Sequence, residues 1–173
     1  MKKIIIILTI ITSFLIYNTI KEQEIIIPDT SIRLRVIPNS NSILDQNMKN
    51  KVKQYLEKNT YTLLENANDI STARKIINDN VSNLDIAISD IFKENNYNMK
   101  YDINFGYNYF PEKEYRKVKY KEGYYESIVI TIGEGEGDNW WCVLFPNLCL
   151  VDLENISDVE YKSWIEEKIN KIF

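Results

Sequence analysis

From Tyr97 to Tyr109 the chain alternates without a break. Tyr97, Met99, Tyr101, Ile103, Phe105, Tyr107 and Tyr109 fall on one side, and Asn98, Lys100, Asp102, Asn104, Gly106 and Asn108 on the other. Successive side chains of a strand point to opposite faces, so this stretch predicts a long β-strand with one apolar face to cover. Phe110-Pro111 ends it, because proline has no amide with which to continue a ladder. Before it the period changes. Ala73, Ile76, Ile77, Val81, Leu84, Ile88, Ile91 and Phe92 recur at helical spacing and predict a helix that Asn95-Asn96 stops. An earlier stripe, Leu44, Met48, Val52, Tyr55 and Leu56, predicts another, with Ser42 as N-cap and Asp45 in an acidic first turn. This one is expected to weaken around Asn59-Thr60 and to stop before Asp69. Both stripes read as core, because the domain has no other source of cover for its strands.

Ser31 to Asn39 alternates Ile32, Leu34 and Val36 against Arg33 and Arg35, which predicts a half-buried strand with the arginines in solvent. Tyr124 to Ile132 predicts a further strand. Its consecutive Ile128, Val129 and Ile130 suit a central position covered on both faces. Glu112 to Gly123 reads as a charged connector. Val159, Trp164, Ile165 and Ile169 predict a final helix over Ser157–Phe173. Strand, two helices and then more strands, without βαβ alternation or repeats, predict an α+β fold. It is a small, mainly antiparallel sheet with helices packed on one face, preceded by a hydrophobic export leader.

The leader is Met1–Ile20. Lys2 and Lys3 form a positive n-region, and Ile4 to Tyr17 is an apolar run broken only by Thr9, Thr12 and Ser13. A membrane span needs about 20 apolar residues, so the run fits a secretory signal better than a full crossing. Tyr17, Asn18, Thr19 and Ile20 make a poor cleavage site, which leaves a signal peptide and an uncleaved membrane anchor as alternatives. No cysteine sits near the end of the run, which excludes a lipoprotein anchor. Residues 21–30, beginning with Lys21 to Pro28, read as a stalk, and 31–173 as a single extracytoplasmic domain.

Composition narrows the function. The chain has 173 residues, no histidine and two cysteines. Without histidine there is no imidazole for acid–base catalysis, for Ser-His or Cys-His nucleophile pairs, or for most zinc sites. Two cysteines cannot build a Cys₄ site. Lys and Arg number 21 against 25 Asp and Glu, a net charge of −4, which gives no electrostatic footprint for nucleic acid. No cofactor, metal or catalytic set is expected.

The segment from Gly133 to Asp152 carries the remaining information. Glu134, Glu136 and Asp138 between Gly133, Gly135 and Gly137 would repel a phosphate, and EF-hand spacing is missing, so the glycines predict a plain flexible turn. If the chain reverses through a four-residue loop, Leu144 to Asn147, then Cys142 and Cys149 become cross-strand neighbours. They would be close enough to form a disulfide in an exported protein. Trp140 and Trp141 must face opposite ways in extended backbone. One reading buries one tryptophan and presents the other with Asn139, Phe145 and Pro146 as a partner-binding tip. The other packs them all beneath the C-terminal helix.

The run GEGEGDNWWCVLFPNLCLVD, Gly133–Asp152, resembles the signature of the stage II sporulation protein R family of endospore-forming Firmicutes. Arg33-Leu-Arg-Val-Ile-Pro-Asn-Ser followed by Asp45-Gln46 resembles that family's opening strand and helix start. Phe110-Pro111, Tyr115 and Gly123-Tyr124 follow in the expected order. Pro38, Asp138 and Asn147 depart from the family's usual residues. The resemblance implies a secreted signalling protein, not an enzyme. It would act in the space between forespore and mother cell, tethered or free. There it would activate a membrane-embedded aspartic protease that processes the sigma-E precursor. The competing classes are a cell-envelope hydrolase using Glu134, Glu136, Asp138 or Asp152, and a structural spore-envelope protein.

Overall fold

The structure, a computed structural model, describes residues 25–115, 118–148 and 158–172, together with Thr12. The leader expected over Met1–Ile20 lies outside the described residues, Thr12 apart. No helix among the described residues is long and apolar enough to cross a membrane.

Ser42 caps the first helix, α1 (Ile43–Leu64): its hydroxyl accepts from the amide of Asp45, satisfying an orphan donor of the first turn. The helix does not weaken at Asn59-Thr60. Those side chains donate to the carbonyls of Tyr55 and Leu56 one turn back, and the ladder continues. Met48, Val52 and Leu56 are buried as the stripe predicts, but Leu44 is exposed. Asp69 caps α2 (Ile70–Glu94), which buries Ala73, Ile77, Leu84, Ile88 and Phe92. Asn95 closes it, and Asn96 takes the left-handed conformation (φ 51°) that asparagine tolerates.

The main sheet holds β2 (Ile32–Ile37), β3 (Tyr101–Phe110), β6 (Gly123–Ile132) and β7 (Trp140–Phe145) in the order β3-β6-β2-β7. Its β2–β6 pairing is parallel and the other two are antiparallel. The fold is α+β with a mainly antiparallel sheet, and α1 and α2 cover one face. Ile32, Leu34, Val36, Ile128, Ile130 and Ile132 pack there against the two helix stripes. β6 is central and buried on both faces, as its consecutive apolar residues require. Arg74 of α2 forms a two-pronged ion pair with Glu126 of β6, at 2.5 and 2.8 Å. It lies at the surface, so Arg74→Ala should cost under about 1 kcal/mol in a denaturant titration.

The opposite face differs from the sequence reading. The expected stalk contains β1 (Ile25–Ile26), and the expected connector contains β4 (Lys113–Tyr115) and β5 (Val118–Tyr120). Together they form a second sheet, β1-β5-β4, in which β1 and β5 run parallel. Ile27, Val118 and Leu148 pack with Val143 of the main sheet and with Ile165 of the last helix, α3 (Asp158–Ile172). Two layers therefore enclose the sheet, and α3 lays Ile165 and Ile169 on the side away from α1 and α2 while its last turn brings Ile172 to the main core.

Arg33 pays for that enclosure. Expected in solvent, it is 1% exposed, with its guanidinium carbon 3.3 Å above the centre of the Tyr125 ring and near Phe110 and Tyr120. Among the described residues its nitrogens meet no geometric hydrogen-bond acceptor, and the aromatic faces of Tyr125, Phe110 and Tyr120 surround the cation. Burial lowers the pKa of both Arg33 and Arg35 from the usual arginine value.

Candidate functional site

The glycine-rich segment is not a free turn. Gly133 and Gly135 take left-handed φ of 57° and 68°, which only glycine adopts without strain. The bend lays the following amides on the Pro38–Asn41 turn. Glu134 N–H donates to Asn39 Oδ1 (3.1 Å), Glu136 N–H to the Asn39 carbonyl (3.1 Å), Gly137 N–H to the Pro38 carbonyl (3.1 Å) and Asp138 N–H to Asn41 Oδ1 (2.7 Å). These amides are spent on protein acceptors, which together with the three acidic side chains removes any phosphate cradle. Gly137 must be glycine for a different reason: a Cβ there would collide with the Ser40 carbonyl and the Pro38 ring.

The receiving turn is itself held by Asp45, 5% exposed. Its carboxylate accepts from Ser40 Oγ (2.5 Å), Tyr97 Oη (2.6 Å) and Asn39 Nδ2 (2.9 Å). The hydrogen bonds from Ser40, Tyr97 and Asn39 push its pKa down to about 2, while burial and the Asp45 charge raise that of Tyr97. The local sequence places Asp45 only in the helix's first turn. That Asn39, Ser40 and Tyr97 converge on it has no local signal, since Tyr97 is 52 positions away.

Trp140 and Trp141 face opposite sides of β7, as alternation requires. Both are half-buried, so neither is a free tip nor a core residue. Trp140 packs against the α1 side with Lys53 Nζ 5.8 Å from its ring centre, and Trp141 packs edge-on against Phe110 with Lys113 Nζ at 4.8 Å. Lys49 Nζ donates to the Asp138 carbonyl at 2.9 Å and fixes the approach to β7. Asn139 is half-buried at its start. The reading that presents Phe145 and Pro146 at a tip is overturned: both are buried, because β7 pairs with β2 as far as Ile32–Phe145, Phe145 packs in the main core with the helix stripes, and Leu148 beyond the turn packs with the small sheet and α3. The chain reverses through Leu144 to Asn147, and the Leu148 amide donates to the Val143 carbonyl at 3.0 Å. No cysteine among the described residues is a free thiol. Cys149, the expected partner of Cys142, lies outside the described residues, as does Asp152.

This arrangement is a clamp. Among the described residues, no group of three or more His, Cys, Asp or Glu side chains could hold a metal ion. Among the described residues, the carboxyls displaced from their ordinary values, Asp45 and the N-cap Asp69, are both pushed down by hydrogen bonds, the opposite of a general acid. A cavity of about 490 Å³ between α1 and α2 is lined by Leu34, Leu56, Leu64, Ile77 and Leu84 with an asparagine and threonine rim, and carries no charged group.

Residues 28–155 match the family model described as Stage II sporulation protein R (spore_II_R). A Bacillus subtilis (strain 168) protein named Stage II sporulation protein R is 33% identical over 155 residues, covering 88% of this chain and 69% of that relative. No solved structure matches the chain. The matched span takes in the Pro38–Asn41 turn, Asp45 and the whole glycine-tryptophan segment clamped on them, and this chain belongs to the stage II sporulation protein R family.

Proposed function

We propose that this sporulation protein is an exported signal. Made in the forespore and moved into the space between the two membranes, it engages the extracytoplasmic face of a membrane-embedded aspartic protease of the mother cell. That protease then removes the pro-sequence of the sigma-E precursor. The reading rests on family membership across 28–155. It agrees with the apolar leader Met1–Ile20, which either is cleaved or tethers the domain, and with a domain built to present a surface. A ligand that favours one state of a receptor shifts it by differential binding alone and needs no catalytic group.

Asn139, Trp140 and Trp141 are the proposed contact residues, presented by the clamp with their lysine neighbours. Phe145 and Pro146 support them from inside. The proposal includes a Cys142–Cys149 bridge. Its support is the closed loop, in which the Leu148 amide donates to the Val143 carbonyl, together with the absence of a free thiol among the described residues.

The test is reconstitution in a non-sporulating host that expresses this chain, the protease and the sigma precursor. Shortening of the precursor is expected with the full chain and not with one lacking Met1–Ile20. Trp140→Ala and Trp141→Ala, exported and folded by circular dichroism, should each reduce shortening at least about tenfold, the loss typical of an aromatic anchor. Absence of shortening despite verified export would overturn the signalling role. Undiminished shortening by both variants would remove β7 from the contact surface.

A further inference from the structure

β3 is an edge strand of the main sheet, paired through its whole length to β6 on one side and to no strand among the described residues on the other. Such edges are templates for another strand, and soluble proteins usually blunt them with proline, lysine or a bulge. Ile103 to Phe110 has none of these: its register with β6 runs without a shift. Its apolar row also outruns its cover. Tyr101, Ile103 and Phe105 pack beneath α2, whereas Tyr107 is 74% exposed and Tyr109 47%, with Tyr124 of β6 (71%) stacked edge-on against Tyr109.

The direction of the free backbone groups follows from one hydrogen bond. Gly133 N–H donates to the Lys100 carbonyl, so residue 100 points its backbone toward β6. Backbone direction alternates along an antiparallel strand, so Tyr101, Ile103, Phe105, Tyr107 and Tyr109 aim their N–H and C=O groups at the open edge.

We propose that this edge is the interface with a second copy of the chain, β3 pairing antiparallel to its own counterpart about a two-fold axis at Phe105. The strand is close to a palindrome in chemistry. That register sets Tyr101 against the partner copy's Tyr109, Ile103 against Tyr107, Asp102 against Asn108, Asn104 against Gly106, and Phe105 against itself. No like charges meet, Gly106 leaves room for Asn104, and every outward backbone group acquires a partner. Because the axis falls on a residue whose groups face outward, the opposed residues form hydrogen-bonded pairs and both copies keep their helices on the same side. The two exposed tyrosines then lie against Tyr101 and Ile103, residues that α2 already shields in the other copy. The two main sheets become one.

The inference stands apart from the proposed receptor and is tested without it. Sedimentation equilibrium of the full chain in mild detergent should show a dimer. Tyr107→Pro removes an outward amide while leaving the bonds to β6 intact, and Tyr107→Lys sets a charge against Ile103 of the other copy. Each should weaken self-association roughly tenfold or more with an unchanged far-ultraviolet spectrum. A wild-type chain that stays monomeric, or a dimer indifferent to both variants because the leader or another surface holds it, would overturn the assignment. So would a monomer whose β3 edge takes up a strand from a different protein.

Discussion

Asp45→Ala should be among the most destabilising single changes in the described domain, with a loss of about 3–5 kcal/mol and a fall in Tm on the order of 10 °C. The carboxylate is buried and takes three donors from Ser40, Tyr97 and Asn39, so its removal leaves a buried phenol, an amide and a hydroxyl without an acceptor. Hydrogen bonds to a charged acceptor contribute about 1.5–3 kcal/mol each, and the three are not additive. The same group sets an acid limb. Its folded pKa of about 2 lies below the ordinary 3.8. A depressed carboxyl contributes stability that is present above its unfolded value and lost as pH falls through the folded one. About 1–2 kcal/mol should therefore disappear between pH 4 and pH 2. Thermal melts across that window should show the decline in the parent chain and a flatter one in Asp45→Ala. Equal slopes would show that this carboxylate does not hold the turn.

Gly137→Ala should be the next most damaging change, and it would act on the candidate site directly. The added methyl meets the Ser40 carbonyl and the Pro38 ring, which are backbone and a rigid ring and cannot swing aside. The segment must lift, giving up the Gly137–Pro38 and Glu136–Asn39 bonds that place β7. The expected cost is about 1–3 kcal/mol, with faster proteolysis around Glu134–Asp138. Gly106→Ala is the control, measured at a concentration where the chain is monomeric: within one copy its Cβ would find only Asn104 Oδ1 at 3.6 Å, so the stability of the single chain should change little. Similar losses for the two would point to a general intolerance of alanine and away from the clamp.

Both helices of the main layer were legible because a 3.6 period over several turns admits few alternatives, and Ser42 and Asn95-Asn96 marked ends that the structure keeps. β3 and β6 were legible for the matching reason, a period of two in one and an unbroken apolar run in the other. The second sheet was not. β1, β4 and β5 have two or three residues each, too few for a period, and β1 finds its partner in β5 about 90 positions along the chain. Missing that layer misplaced Arg33, since an arginine alternating with Ile32 and Leu34 signals solvent unless something covers its face. What covers it is built from segments that read as stalk and connector.

The same division runs through the candidate site. The opposed sides of Trp140 and Trp141 followed from the local sequence, because strand geometry dictates them. The identity of the glycine segment as a family signature was also legible there. Its rigidity was not: Gly133, Gly135 and Gly137 suggest a loose turn when read alone. They become a clamp only through acceptors on residues 38–41, nearly a hundred positions earlier, held by a carboxylate that Tyr97 helps to fix. Phe145 and Pro146 went from expected tip to interior for the same reason. Periodicity and capping act over a few residues and are written into neighbouring side chains. Burial of a particular face, and the acceptor that a particular amide meets, depend on which distant segments the closed sheet brings alongside.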